Sequence, residues 1–187
     1  MRVFVAIPVP DDVRCALGEL IAKLQRTCPG ARWVRTEGMH VTLKFIGEAS
    51  EDNVARVNAA LATAQSTVPI ELRFRNTGFF PNHRHPRVFW AGIDATPNLA
   101  EIAEAIESKL EPLGIPREAR AFRPHLTLAR FDSQEGIPRL SAALAQLAPF
   151  DFGAATARQF HLYQSVLKRS GAEYTVLADF DFVKGGA

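Results

Sequence analysis

Two short stretches of the sequence combine a histidine with a threonine two residues later. They read HVTL at residues 40–43 and HLTL at residues 125–128. Histidine has an unperturbed pKa of about 6.5, so near neutral pH one copy can accept a proton while another donates one. Displacement at phosphorus needs such a base and acid on opposite sides, because the nucleophile and the leaving oxygen lie roughly in line. The repeated motif therefore indicates acid–base chemistry on a phosphate ester, for which no metal is required.

The threonine of each motif adds a second function. Residues two apart in a strand share a face, so His40 and Thr42 point the same way. The same holds for His125 and Thr127. Threonine hydroxyls on both sides of a phosphate can donate hydrogen bonds to its non-bridging oxygens as charge builds. One motif could reflect core packing and β propensity alone, but packing does not demand the same polar pair twice. These four residues are therefore the candidate catalytic set.

Strands and helices alternate along the chain that must position these residues. The predicted strands are residues 2–8, 39–46, 70–75, 87–93, 124–131, 157–167 and 173–182. The predicted helices run from Asp11, where Asp11 and Asp12 offer an N-cap and a first-turn acid, to Cys28, and over residues 51–65, 98–113 and 138–147. Both motifs therefore lie on predicted strands.

The offset that carries His40 onto His125 also relates a second pair of segments. RVFVA at residues 2–6 resembles RVFWA at residues 87–91, so each half reads strand, helix and motif strand at the same spacing. Two separated matches at one offset indicate a duplicated unit that forms two lobes around a pseudo-two-fold axis. Lobes that meet at their sheets would bring the two histidine–threonine pairs face to face across a cleft. We therefore expect residues 1–187 to form a single bilobal domain with helices covering the other side of each sheet.

Composition and charge exclude few function classes. Apolar residues make up 47% of the chain and charged residues 22%, which is ordinary for a soluble globular protein. The net charge of +2 is too small to indicate nucleic acid by itself. Cys15 and Cys28 lack metal-ligand spacing, so we expect both to be reduced. The apolar run near the N-terminus is short for a signal peptide or a membrane span, and we expect a cytoplasmic protein.

The sequence is identified by these motifs as a relative of the two-histidine phosphoesterase superfamily, which is defined by two H-x-T/S-x motifs. Within it, the chain resembles the bacterial and archaeal RNA 2′,3′-cyclic phosphodiesterases, long called 2′-5′ RNA ligases. The resemblance runs nearly end to end and is carried by RVFVAI, RWVRTEGMHVTLKFIGE, HPRVFWAGI, FRPHLTLARF and LYQSVLKRSGAEYTVLADF.

The resemblance implies an α+β fold in which two antiparallel sheets face a central cleft. It also implies hydrolysis of a terminal 2′,3′-cyclic phosphate to a 2′-phosphate, without a metal or cofactor. By position, His40 would be the general acid to the leaving 3′ oxygen and His125 the base that activates water. Thr42 and Thr127 would hold the phosphate. RNA ends or small cyclic nucleotides would be the partners, and we expect a monomer with no membrane and no obligate protein partner.

Two further residues are candidates for substrate binding because relatives complete the site with an aromatic that stacks on the base and with basic residues near the phosphate. Phe45 and Arg130 occupy these positions, each five residues after its motif histidine. Strict strand alternation argues against both, because an odd offset puts them on the covered face. Core packing and base stacking remain open for Phe45. For Arg130 we expect the strand to bend or stop near Ala129, since a buried arginine without a partner is costly.

Several other polar residues have more ordinary interpretations. Lys44 shares the alternation of His40 and could attract RNA phosphates, but a solvated lysine at the rim is the expected interpretation. The H-x-H at residues 83–85 lacks a nearby third ligand and predicts a surface loop rather than a metal site. His161 is interpreted as structural, whereas Tyr163 and Ser165 share its face and could line the cleft.

Two alternatives to the phosphodiesterase stay open from the sequence. One is cleavage or ligation of 2′-5′ linkages, which shares a transition-state geometry with ring opening. Neither G-x-x-x-x-G-K-[ST] nor G-x-G-x-x-G occurs, so a nucleotide-activated ligase is disfavoured. The other is a non-catalytic RNA-end binding module, against which the presence of both histidines and both threonines argues. Turnover of a small 2′,3′-cyclic nucleotide would discriminate between them.

Overall fold

The fold was analysed in a computed structural model that describes residues 1–64, 66, 68–168 and 171–182. The strands are β1 Arg2–Pro8, β2 Arg32–Trp33, β3 His40–Glu48, β4 Ile70–Phe80, β5 Val88–Ala95, β6 His125–Arg130, β7 Asp151–Ala157, β8 Gln159–Lys168 and β9 Gly171–Asp181. The helices are α1 Asp11–Leu24, α2 Glu51–Leu61, α3 Asn98–Leu110 and α4 Ile137–Leu147, with short 3-10 helices at Thr36–Gly38 and Glu111–Leu113.

The strands form two antiparallel sheets, and each sheet contains one motif strand. The four-stranded sheet has the order β3-β1-β8-β9, and the five-stranded sheet has the order β2-β6-β5-β4-β7. Every neighbouring pair of strands is antiparallel. This arrangement confirms the predicted α+β class with two antiparallel sheets.

Helices α1 and α3 each pack against the sheet that does not contain the strand before them. Helix α1 follows β1 of the four-stranded sheet but packs against β7 of the five-stranded sheet. Helix α3 follows β5 of the five-stranded sheet but packs against β3. The apolar residues predicted for the inner face of α1 are buried, with Val13, Leu17 and Leu24 fully inaccessible. Each sheet therefore packs against a helix that follows a strand of the other sheet. Within the described ranges, no helix has the length and apolar character needed to cross a membrane.

Several predicted boundaries differ from the observed ones. Strand β4 continues five residues beyond the predicted end, because Asn76 with a φ of 60° forms a bulge that the sequence pattern reads as a turn. The last turn of the helix predicted to end at residue 113 is a 3-10 helix that contains Pro112, and Gly114 with a φ of 81° terminates it. Pro10 occupies the N-cap position of α1 without a side-chain capping hydrogen bond, so Asp11 and Asp12 both lie in the first turn.

Other differences concern missing and shortened elements. Strand β7 has the sequence DFGAATA, whose small residues give little strand signal, and pairing with β4 holds it in the sheet. The two-residue strand β2 is also missing from the prediction, and it extends the edge of β6. Helix α2 ends at Leu61 rather than at residue 65, which lies outside the described residues.

The registers of the two sheets refine the predicted duplication. Thr42 lies opposite Ala6, whereas Thr127 lies opposite Trp90 rather than the expected Ala91. The offset between the two partner strands is therefore one residue smaller than the offset between the two motif strands. The matching letters of RVFVA and RVFWA therefore do not occupy equivalent positions in the two sheets, because the structural match is shifted by one residue. A shift of one residue matters because successive residues of a strand face opposite sides of the sheet. The duplication itself stays a prediction.

Candidate active site

A cleft with a volume of about 370 Å³ lies between the two motif strands. It is lined by residues of β1, β3, β8 and β9 from one sheet and of β6 from the other. All six predicted site residues are among those that line it: His40, Thr42, Phe45, His125, Thr127 and Arg130. A larger groove of about 500 Å³ beside α4 is lined by none of them. We place the candidate site in the smaller cleft because both motif histidines and both motif threonines converge there.

Both motif histidines are held in the same tautomer by the backbone. Nδ1 of His40 lies 2.8 Å from the carbonyl oxygen of Gly38, and Nδ1 of His125 lies 2.8 Å from the carbonyl oxygen of Arg123. A carbonyl only accepts hydrogen bonds, so each Nδ1 carries its proton and donates it. Nε2 of each ring is then the nitrogen that remains for proton exchange. The two histidines are therefore prepared in the same way, by the residue two positions before each of them.

The surroundings of the two histidines differ. The His40 ring lies 4.5 Å from the ring of Phe4 and 5.1 Å from that of Tyr174, which meets it at 83°. Burial lowers the pKa of His40 to about 4, and the hydrogen bond to Gly38 opposes this shift. His125 has one aromatic neighbour among the described residues, Phe80, at 5.0 Å. In the free protein at neutral pH, His40 is therefore a neutral imidazole.

A bulge in β3 places Phe45 on the same face as the first motif. Lys44 lies opposite Val5 and Thr42 lies opposite Ala6, so Leu43 is the extra residue. One extra residue reverses the alternation beyond it. Phe45 is 62% exposed and lines the cleft. Strict alternation, which placed it on the covered face, was therefore wrong for this residue.

The second motif strand carries the corresponding bulge. Ala129 lies opposite Phe89 and Thr127 lies opposite Trp90, so Leu128 is the extra residue in β6. Leu128 and Ala129 are both fully buried, whereas Arg130 is exposed and lines the cleft. The bulge supplies the bend expected near Ala129, and β6 ends one residue later, at Arg130. The faces of the strand are exchanged beyond the bulge, as those of β3 are beyond the first motif.

The bulge at Leu43 in β3 overturns the interpretation of Lys44 as a solvated rim residue. Its side chain is 4% exposed and its Nζ donates to Oε2 of Glu107 on α3, at 2.6 Å, and to the carbonyl oxygen of Pro116, at 2.7 Å. Lys44 therefore anchors α3 to the covered face of the sheet. It has no access to RNA phosphates.

The remaining sequence candidates are Ser165 and Tyr163, which could line the cleft, and the histidines expected to be structural or to lie in a surface loop. Ser165 lines the cleft, whereas Tyr163 stacks on Phe4 with ring centroids 5.2 Å apart. Burial raises the pKa of Tyr163. His161 is buried, with Nδ1 2.6 Å from Oδ1 of Asp179, and the H-x-H at residues 83–85 lies in an exposed loop. Across the described part of the chain, no group of three histidine, cysteine or acidic side chains could hold a metal.

Sequence reasoning missed several residues that line the cleft. They are Arg2 and Phe4 from β1, and Leu167, Ala172 and Tyr174 from the hairpin of β8 and β9. These residues carry no motif, and only the pairing of β1, β8 and β9 brings them to the site. The described lining holds two arginines and two histidines but no aspartate or glutamate. Its charge therefore suits an anionic ligand.

The sequence model of the family described as "LigT like Phosphoesterase" matches residues 7–90 and 93–174. The chain belongs to this family, which confirms the resemblance drawn from the two motifs.

Curated relatives and solved structures agree with this assignment. A protein of Archaeoglobus fulgidus named RNA 2′,3′-cyclic phosphodiesterase is 32% identical over 97% of this chain and 100% of its own length. One of the same name from Methanocaldococcus jannaschii is 34% identical, over 96% of this chain and 100% of its own. A crystal structure of a Thermus thermophilus protein superposes with a TM-score of 0.81 at 34% identity, covering 97% of this chain and 98% of that one. Escherichia coli LigT complexed with phosphate gives a TM-score of 0.74 at 26% identity, over 98% of both chains.

Proposed function

We propose that the protein hydrolyses 2′,3′-cyclic phosphates at RNA ends to 2′-phosphates, using His40 and His125 as acid and base without a metal. The observation that carries the proposal is the convergence of both histidines and both threonines, Thr42 and Thr127, on one cleft whose lining, among the described residues, contains no carboxylate. The fixed Nδ1 protons support it further, because they leave Nε2 of each ring free to exchange protons. The curated relatives are named RNA 2′,3′-cyclic phosphodiesterases, which supports the proposed substrate class.

The proposed reaction is an in-line displacement at phosphorus. His125 Nε2 takes a proton from water while the water oxygen forms a bond to phosphorus. The bond from phosphorus to the 3′ oxygen breaks, and the proton on His40 Nε2 passes to that oxygen. The threonine hydroxyls donate to the non-bridging oxygens as charge builds there. The products are a 2′-phosphate and a free 3′ hydroxyl, and the next turnover requires His125 to lose its proton and His40 to regain one.

Phe45 and Arg130 complete this proposal on the substrate side. An exposed phenylalanine beside the first motif offers a face on which the terminal base can stack. Arg130 is exposed at the corresponding position of the second motif, where its guanidinium can bind phosphate oxygens. Stacking would fix the ribose, so that only one ring oxygen lies in line with water and the acid.

The assignment of His40 as the acid predicts that an anion raises its pKa. Burial holds that pKa at about 4 in the free protein, so the fraction of protonated His40 grows only as pH falls toward that value. A bound phosphate brings a negative charge that favours the imidazolium. We expect ring resonances of His40, assigned with His40→Asn, to titrate near pH 4 in the free protein and at higher pH with a saturating nucleoside 2′-phosphate. Titration that is unchanged by the nucleotide would contradict the acid role.

Product regiochemistry tests the proposed function as a whole. With adenosine 2′,3′-cyclic phosphate as substrate, we expect phosphorus NMR to show adenosine 2′-phosphate as the single product. Alkaline hydrolysis of the same compound, which gives both isomers, is the control for resolving the two signals. A 3′-phosphate or a mixture would mean that the ribose is not held as proposed. Complete lack of turnover would favour a binding module for RNA ends.

The domain organisation, the partners and the cellular location are part of the same proposal. One family model matches two consecutive stretches of the chain, and this supports an internal duplication within a single domain over residues 1–187. The proposed substrates are RNA ends with a cyclic phosphate, without an obligate protein partner. We place the reaction in the cytoplasm, where the free thiols of Cys15 and Cys28 would stay reduced.

A further inference from the structure

Three apolar residues of the β8–β9 hairpin are presented toward solvent beside the candidate active site. They are Leu167, Ala172 and Tyr174, which we name the hairpin face, and all three line the cleft. Leu167 is 74% exposed and Tyr174 is 37% exposed. Ring opening at one terminal nucleotide, as proposed above, uses none of them. An exposed leucine at the edge of a cleft that suits anions therefore calls for a different ligand group.

The sheet register shows how the hairpin face lies relative to the other binding residues. Arg2 lies opposite Ser165, and Ser165 lies opposite Tyr174, so these three residues form one row across β1, β8 and β9. Phe45 is on β3, on the far side of β1. Neighbouring strands are about 4.8 Å apart, so about 14 Å separates β3 from β9 across the sheet. Arg2 lies between the two apolar positions.

We propose that the hairpin face binds the base of the penultimate nucleotide, with Arg2 beside the phosphodiester that joins it to the terminal nucleotide. The inference rests on the proposed function and adds a second subsite to it. Single-stranded RNA is bound with its bases splayed apart and stacked on side chains, and such stacking tolerates every base. The site would therefore prefer an oligonucleotide to a mononucleotide, without strong sequence preference.

Two features favour RNA over a protein as the ligand of this surface. The hairpin face is continuous with the cleft that holds both motif histidines, so a chain whose end lies in the cleft passes over it. Arg2 is exposed, and none of the salt bridges found among the described residues uses its side chain. An apolar surface with an adjacent cation matches the alternating base and phosphate of a nucleic acid strand.

The test compares kcat/KM for a dinucleotide that ends in a 2′,3′-cyclic phosphate with kcat/KM for the matching cyclic mononucleotide. We expect the wild-type protein to prefer the dinucleotide and Leu167→Ala to reduce that ratio about fivefold or more, because the penultimate base would lose its apolar contact with the leucine side chain. Leu167→Phe, which retains an apolar face, should preserve the ratio. Arg2→Gln should reduce it as well, since the mononucleotide lacks the joining phosphodiester. The matched control is Val166→Ala, which removes an exposed apolar side chain from the same strand outside the cleft lining and should leave the ratio unchanged.

Each contrary outcome has a distinct meaning. Equal kcat/KM for both substrates in the wild-type protein overturns the second subsite. An equal loss for both substrates in Leu167→Ala would assign the hairpin face to the terminal base and also overturn it. A dimer in sedimentation that Leu167→Ala dissociates, with an unchanged ratio, would make the hairpin a protein interface instead. If the wild-type protein turns over neither substrate, the proposed function fails, and the second subsite, which rests on it, fails with it.

Discussion

His40→Ala and His125→Ala are each expected to lower kcat for a 2′,3′-cyclic nucleotide by about a hundred- to ten-thousand-fold. Each substitution removes one proton transfer, and general acid or base catalysis contributes on that scale. Both rings lie at the cleft and are only partly buried, so truncation should leave the fold intact. Steady-state kinetics on purified variants, with circular dichroism to verify folding, measures the effect.

Two sets of controls sharpen this comparison. Thr42→Ala and Thr127→Ala should cost less than the histidine changes, because each removes one hydrogen bond to the phosphate. His83→Ala alters an exposed histidine of the β4–β5 loop and should retain wild-type kcat. If either motif-histidine variant keeps near-wild-type activity, the two-histidine mechanism is wrong.

Lys44→Ala is expected to destabilise the fold by about 3–5 kcal/mol without any role in the chemistry, because an uncompensated buried charge carries a cost of that size. The substitution leaves the carboxylate of Glu107, whose side chain is 13% exposed, without its cation. Urea denaturation followed by circular dichroism measures the change in the free energy of unfolding.

The double variant Lys44→Met with Glu107→Leu provides the decisive comparison. It removes both charges and should recover most of the lost stability, because no unpaired charge remains. Arg32→Ala breaks an exposed ion pair with Asp132 and should change stability by at most about 1 kcal/mol. If Lys44→Ala behaves like Arg32→Ala, the Lys44 pair does not anchor α3.

The sequence was sufficient to predict the motif strands but not which side of them each later residue faces. Two polar side chains at i and i+2 define a face over three residues, and this is why the histidine–threonine pairs could be oriented. Beyond them, one extra residue at Leu43 and another at Leu128 exchange the faces. Neither bulge contains a glycine or proline from which it could be predicted in the sequence. The alternation argument against Phe45 and the expected rim position of Lys44 were therefore wrong for the same reason.

Long-range pairing accounts for the other residues that sequence reasoning missed. Tyr174 contacts His40 because β9, near the end of the chain, joins a sheet that also contains β1 and β3. Strand β7 is recognisable only through its pairing with β4. The resemblance of residues 2–6 to residues 87–91 was informative about topology but not about register. Local pattern cannot fix such registers, since burial across neighbouring strands selects them.

The packing of α1 and α3, each on the sheet that lacks the strand before it, limits how the two sheets can move relative to each other. The four-stranded sheet takes β1 and β3 from the first half and β8 and β9 from the end, while α1 covers the opposite sheet. A hinge between the sheets would have to break the packing of α1 on β7 and of α3 on β3 together. We therefore expect the separation of the two motif histidines to be set by the folded core before substrate binds. In the proposed function, different RNA ends would be accommodated by the exposed side chains at the mouth of the cleft, Phe45 and Leu167, whose rotamers can change without disturbing the spacing of the two histidines.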